Sequence, residues 1–267
     1  MIPSMKLIFL GTGTSTGVPV VGCHCEVCRS ADPRNKRSRP SVLVQVPGGN
    51  ILIDTTPEMR VQLLRERIDR IDAVLFTHYH ADHIFGLDDV RVMYFLLRRA
   101  LPVYAERSVQ GVLRRTFSYA FDERAERIPG GGIPRLEMHT IDARRAFEVL
   151  GQQCVPIRLL HGRFRVLGFR FGNLAYCTDV NRIPRRSMKL LDGLDVLVLD
   201  MLRDRPHPTH FSLGESLEIV AQLRPRRTFF THMTHDVDHA ATNARLPPSV
   251  ELAYDGLQVE CGLSERV

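Results

Sequence analysis

Residues 76–83 read Phe76-Thr77-His78-Tyr79-His80-Ala81-Asp82-His83, with four metal-competent side chains inside six positions. His78 and His80 are two apart, so an extended backbone turns both to one side. Asp82 and His83 follow where the chain must turn, and can aim at a second point nearby. The apolar run Ala73-Val74-Leu75-Phe76 just ahead reads as a buried strand. The ligating groups therefore stand on a loop at its C-terminal end. Imidazole suits zinc, iron and manganese, and a carboxylate suits the harder end of that range. A merely His-rich surface loop is the alternative, but three imidazoles and a carboxylate brought together are costly to bury unpaired.

Upstream, residues 5–10 read as a first strand, followed by the glycine loop Gly11-Thr12-Gly13-Thr14-Ser15-Thr16-Gly17. Either its bare backbone approaches a site or a phosphate, or it is a plain turn. It is not a P-loop, because no Gly-Lys-Ser/Thr closes it. Gly22-Cys23-His24-Cys25-Glu26-Val27-Cys28 is a metal nest one ligand short of a tetrahedral structural zinc. The Arg-rich segment 29–40 behind it has no apolar core of its own, and a metal would hold such a loop, about 22–40, where packing cannot. Residues 41–46 and 51–53 form a hairpin about a Pro-Gly-Gly-Asn turn. Asp54 ends it, as a turn or capping residue or as a support for the metal loop. Helical spacing over 57–67 presents Met59, Leu63 and Leu64.

Downstream, residues 84–91 begin a helix, 103–105 a short strand, and 108–119 a further helix. Phe117, Tyr119 and Phe121 beside it read as core rather than as pocket wall. Pro129-Gly130-Gly131-Gly132-Ile133-Pro134 is a loop. The second half is strand-rich: 135–141, 147–150, 154–160, then the hairpin 166–171 and 174–177 around Gly172-Asn173. His161 stands where a strand stops and is the candidate third imidazole for the metal loop. His139 is its rival but lies mid-strand. Thr178-Asp179 ends the hairpin. Residues 196–200 form a buried strand, His210 precedes a helix over 213–223, and 228–230 is a core strand running into Thr231-His232-Met233-Thr234-His235. His235 is the candidate fourth ligand for Cys23, Cys25 and Cys28. Asp255-Gly256 turns the chain into a last strand at 257–259.

The 267 residues, 44% hydrophobic and 25% charged, suffice for one large domain spanning 1–267. A net charge of +6 favours anionic substrates and permits nucleic acid without requiring it. The clustering of three of the six cysteines argues against an extracellular disulfide framework. With no signal peptide and no membrane span visible, the expected location is the cytoplasm and no membrane partner is expected.

The H-x-H-x-D-H segment resembles the hallmark of the metallo-β-lactamase superfamily. The resemblance implies an α/β (α+β) chain folded as a four-layered αβ/βα sandwich with a two-metal hydrolytic site. It implies that His78, His80 and His161 hold one metal, that Asp82, His83 and His232 hold the other, and that Asp179 bridges them. Asp82 would also orient the attacking water. Asp54 would brace the ligands by hydrogen bonding, and His210 would approach substrate without binding metal. The opening Leu-Gly-Thr-Gly, the three cysteines, Thr-His-Tyr-His-x-Asp-His and Thr-His-x-x-His stand in the order of a narrower group. That group is the cyclic-phosphate phosphodiesterases of the carbon–phosphorus lyase pathway and their relatives. It implies two divalent metals, Zn or Mn, one structural Zn on Cys23, Cys25, Cys28 and His235, a small anionic phosphodiester substrate and a homodimer. Residues 97–153 do not match that group. The rival readings are a tRNA 3′-end endonuclease, whose long basic arm is missing from this sequence, a thioesterase or lactonase, and a non-catalytic accessory protein.

Overall fold

Along strand β1 (Ser4–Gly11), Met5, Leu7 and Phe9 face one way and Ile8 and Leu10 the other, and all five are buried. A strand apolar on both faces must be covered on both. The computed structural model describes residues 4–121 and 132–262 and satisfies that demand with two stacked sheets. The first half supplies β2 (Ser41–Val46), β3 (Gly49–Ile53), β4 (Ala73–Leu75), β5 (Leu101–Ala105) and β6 (Leu136–Thr140). The second supplies β7 (Phe147–Val149), β8 (Gln152–His161), β9 (Phe164–Phe171), β10 (Leu174–Cys177), β11 (Val196–Asp200), β12 (Arg227–Thr231), β13 (Val250–Leu252) and β14 (Gln258–Gly262). One seven-stranded sheet runs β14-β1-β2-β3-β4-β5-β6, and the other β13-β12-β11-β10-β9-β8-β7. In each, part is antiparallel and part parallel: β3 to β6 in the first, β10 to β13 in the second.

Three apolar layers hold the sandwich. Phe9, Val44 and Leu75 meet Phe169, Tyr176 and Val198 between the sheets. Helices α1 (Glu26–Arg29), α2 (Met59–Arg65), α3 (Ala81–Ile84), α4 (Arg91–Leu97) and α5 (Arg107–Thr116) belong to the first half. Met59, Ile84, Met93 and Leu113 from these helices cover the outer face of the first sheet. Helices α6 (Arg185–Lys189), α7 (Leu213–Leu223) and α8 (His239–Asn243) follow in the second half, where Leu213 and Val220 cover Leu197 and Phe230. This is the expected αβ/βα order of layers. At about 25 cal/mol per Å² of apolar surface removed from water, such doubly covered sheets are the main source of stability.

Local readings differ from the structure where packing outweighs pattern. Of the expected apolar face of α2, Met59 and Leu63 are buried but Leu64 is 62% exposed, and Gln62 takes the inward position. Gln62 bonds Thr56 and Ser38, so its amide is satisfied there. Phe117 joins the core as expected, whereas Tyr119 is exposed and donates to Asp88. The expected loop at 129–134 lies in part outside the described residues. The segment 29–40 is less solvated than its composition suggests. Arg37 is fully buried, bonded to Asn35 and the Thr234 carbonyl.

Candidate metal centre

Parallel strands bring their C-terminal ends to one edge, and this edge gathers the chemistry. His78 and His80 follow β4, and Asp82 and His83 lie in the single turn of α3. His161 is the last residue of β8. Asp179 follows β10 by two residues, and His232 follows β12 directly. Asp54, Asp179 and His232 have φ of 65°, 53° and 66°, a left-handed conformation that costs energy in residues other than glycine. Strain at three residues of one edge is the cost of turning their side chains inward. Gly86 closes the loop, because a Cβ there would collide with the Thr56 carbonyl.

Three of the imidazoles, those of His83, His78 and His161, are oriented from behind. Asp54 Oδ2 lies 2.7 Å from His83 Nδ1, and the same carboxylate accepts the Thr77 amide and hydroxyl at 2.8 and 2.7 Å. Thr77 Oγ1 is 2.9 Å from His78 Nδ1. The Thr209 carbonyl accepts from His161 Nδ1 at 2.7 Å. In each case the Nε2 atom is left to face the cluster. There, His83 Nε2 lies 3.4 Å from Asp82 and 3.3 Å from Asp179, and His232 Nε2 lies 3.2 Å from Asp179. The His80 ring is 4.4 Å from His78 and 5.2 Å from His161.

The donor atoms fall into two triads, His78–His80–His161 and Asp82–His83–His232, each within 4.8 Å, and Asp179 lies close to both through His78 and His83. The buried Nε2 atoms of His78, His83 and His232 have no hydrogen-bond partner. Orphaned, converging lone pairs beside two buried carboxylates are what cations would satisfy, so the residues fit a metal pair.

Burial opposes charge on every group here, and specific partners decide the outcome. For His83 it is outweighed by Asp179, Asp82 and Asp54, which push its pKa well above the usual range. Burial is likewise overcome at His232, where Asp179 and Asp82 raise it to about 9. Burial wins at His78, with His83 adding repulsion, and it lowers His161 and His80 as well. Asp82 and Asp179 are held low by the neighbouring imidazoles. The two carboxylates thus demand positive charge, which protons on His83 and His232 or divalent cations can supply.

His210 reaches further in than its sequence position suggested. Asp200 Oδ2 grips its Nδ1 at 2.6 Å, and its ring is 4.5 Å from both His161 and His232, nearly parallel to the latter. It forms a further triad with His161 and Asp179. The capping box of Ser212 and Glu215 starts α7 two residues on and fixes the backbone that carries it. Asp200, which holds His210 in place, was not singled out from sequence. The signal available was a carboxylate ending a wholly apolar strand. His139 stays outside, its ring stacked on Tyr104 and its Nε2 3.3 Å from Glu137.

A second group converges 3 residues beyond His232. His235 Nδ1 lies 3.1 Å from Cys23 Sγ, 3.4 Å from Cys25 and 3.7 Å from Cys28. The Cys28 amide donates to Cys25 Sγ, and this bond, with His235 behind it, overcomes burial and brings that thiol down to about 6. Four such ligands suit a closed tetrahedral ion. The glycine loop lies alongside: Met233 donates to the Thr12 carbonyl, and Thr14 donates to the Met233 carbonyl. Its close backbone approach is to residues 37–39, against which Gly11 and Gly13 pack.

Two covered sheets with a buried His/Asp cluster at their common edge define a class of metal-dependent hydrolase. The chain belongs to the metallo-β-lactamase superfamily, and residues 49–233 match the beta-lactamase superfamily domain. It is similar to a solved structure described as a new diphosphatase from the PhnP family, with 45% identity, 98% of this chain and 99% of that one covered, and a TM-score of 0.91. An octanoyltransferase of Porphyromonas gingivalis is 38% identical over 95% of this chain, which covers 51% of that protein. Zinc-bound PqqB from Methylobacterium extorquens shares the fold at 19% identity, covering 95% and 99% of the two chains with a TM-score of 0.73. The chain spans about half the length of the curated relatives it matches. Among the described residues, no helix is long and apolar enough to cross a membrane.

Proposed function

We propose that this chain is a metal-dependent phosphoric diester hydrolase acting on small phosphodiesters, including the diester-type anhydride of an organic diphosphate. The observation that carries the reading is the pair of buried donor triads flanking Asp179. His78, His80 and His161 would hold one divalent ion and Asp82, His83 and His232 the other, with Asp179 between them. Zinc and manganese both suit such nitrogen and oxygen donors. A bound pair of cations supplies Lewis acidity and an acidified water at neutral pH.

The chain's own residues do the rest. Asp54 and Thr77 hold His83 and His78 so that their Nε2 atoms converge. Asp82, beside His83, would accept a hydrogen bond from the attacking water and orient it. Asp200 fixes Nδ1 of His210 and leaves Nε2 toward the cluster, where it donates a proton to the departing oxygen. Cys23, Cys25, Cys28 and His235 would take a structural zinc that secures the 22–40 loop against residues 232–235. The positive net charge and the activity of the 45%-identical relative support a phosphate-bearing substrate.

The test is metal analysis of the purified protein with a substrate panel: bis-p-nitrophenyl phosphate, a 2′,3′-cyclic nucleotide, an organic diphosphate and precursor tRNA. Two to three metals per chain and metal-dependent cleavage of the small esters are expected. Preference for precursor tRNA would move the chain to the nuclease reading. An octanoyl thioester belongs in the panel, because the octanoyltransferase relative favours acyl chemistry as the second reading. Preferential thioester cleavage would select it.

A further inference from the structure

His207 lies in the stretch Pro206-His207-Pro208 between β11 and α7, three residues before His210. The two prolines have fixed φ angles, and the second holds His207 itself extended. The Pro208 carbonyl accepts from the Asn181 side chain at 2.9 Å, and Asn181 in turn accepts the Gly162 amide at 2.8 Å. The loop is thereby tied to the end of β8, where His161 stands. Three imidazoles then step outward from the metal centre. The rings of His232 and His210 are 4.5 Å apart and those of His210 and His207 5.3 Å. The first two are buried and His207 is half-buried.

The backbone decides which nitrogen of His207 carries the proton. Nδ1 lies 3.4 Å from the Thr209 amide nitrogen and 3.2 Å from the Thr209 hydroxyl. An amide only donates, so Nδ1 is the acceptor and the neutral ring keeps its proton on Nε2. Burial, then His210 and Arg203, lower the pKa of His207, which favours that neutral ring. Among the described residues, Nε2 has no hydrogen-bond partner. The Arg203 guanidinium forms no ion pair there either, and its buried Nε is unpartnered. An oriented N–H with a spare cation nearby thus stands one ring beyond His210, which serves the departing oxygen. That arrangement suits a leaving group which itself carries negative oxygens. A simple alcohol has none, whereas the phosphate monoester released from a diphosphate diester does.

We propose that His207 is a specificity-determining residue, donating from Nε2 to a non-bridging oxygen of a phosphate leaving group. This rests on the phosphodiester reading above and deepens it. Water adds to one phosphorus, and the bridging P–O bond breaks with its electron pair left on the bridging oxygen. The second phosphate departs as a monoester, protonated through His210. The matched probes are symmetric dithymidine 5′,5′-diphosphate and thymidine 5′-(p-nitrophenyl phosphate), which share the attacked phosphorus and differ in what leaves. His207→Asn keeps an oxygen for the Thr209 amide but removes the Nε2 donor. His207→Gln does the reverse, placing an amide donor near the Nε2 position and losing the acceptor. The ratio of kcat/KM, diphosphate over aryl ester, should fall about tenfold in His207→Asn, as one hydrogen bond to a charged group implies. In His207→Gln it should stay within about threefold of wild type. A ratio that holds in His207→Asn, or one that falls as far in His207→Gln, overturns the proposal and leaves His207 as a brace for Thr209. If the metal-loaded protein cleaves neither probe, the hydrolase reading has failed, and calorimetry with thymidine 5′-phosphate decides His207. About tenfold weaker binding in His207→Asn than in wild type and His207→Gln would sustain the contact, and equal binding would remove it.

Discussion

Asp54 sits behind His83 and spends its carboxylate on three donors, the Thr77 amide and hydroxyl and the His83 ring. Partners of this kind fix the tautomer of a ligating imidazole and commonly govern metal affinity by 10–100-fold. Asp54→Asn should weaken metal binding by about that range, read by titration against a chelator. Unchanged affinity would reduce Asp54 to a turn residue in a left-handed conformation. His210 is argued to serve the leaving group, so its loss should depend on what leaves. His210→Gln should slow cleavage of an alkyl diester by about 10²- to 10³-fold, and p-nitrophenyl esters far less, because p-nitrophenolate departs without a proton. Equal losses on both would assign His210 to holding the phosphate instead.

At the scale of elements, the segment 232–235 after β12 serves two clusters, and it brings His235 to cysteines that lie 207 to 212 positions earlier. Cys23, Cys25 and Cys28 meet His235, while His232 faces the other centre. The two groups share one short segment, so the Cys loop acts as an anchor for it. Cys25→Ser should remove one zinc per chain and lower thermal stability. A loss of about 2 kcal/mol would appear as roughly 4–8 °C in a chain of this size. Activity per metal-loaded centre should change less than stability does. Full zinc stoichiometry in the variant would end the structural-site reading.

For the molecule as a whole, buried ionisable groups set how stability follows pH. His239 is buried beneath the Cys loop, its amide bonded to Asn35. Burial and then the nearby Arg34 and Arg37 lower its pKa to about 4. Its folded value lies below its unfolded value of about 6.5, so the unfolded chain binds the extra proton. The contribution is therefore fully present above about pH 6.5 and is lost as pH falls toward 4. His239→Gln should flatten the fall in melting temperature between pH 7 and pH 5 relative to wild type. Parallel curves would show that His239 does not contribute to that slope.

Much of this was legible in one dimension, because periodicity and clustering are local. Both-face apolar runs such as residues 5–10 require covered sheets whatever the chain does next, and His78, His80, Asp82 and His83 are too close in sequence to miss. The helix at Leu213–Leu223 and the strands flanking each cluster follow from pattern in the same way. What pattern does not carry is which remote groups meet. Asp200 reads as the end of an apolar strand until Asp200 and His210 are brought within 2.6 Å. Leu64 reads as core until Gln62 finds buried partners and takes its place. Local sequence determines which faces must be buried and which side chains can ligate. Only the stacking of the two sheets decides which of those side chains share a cavity, since that depends on strand order and not on spacing along the chain.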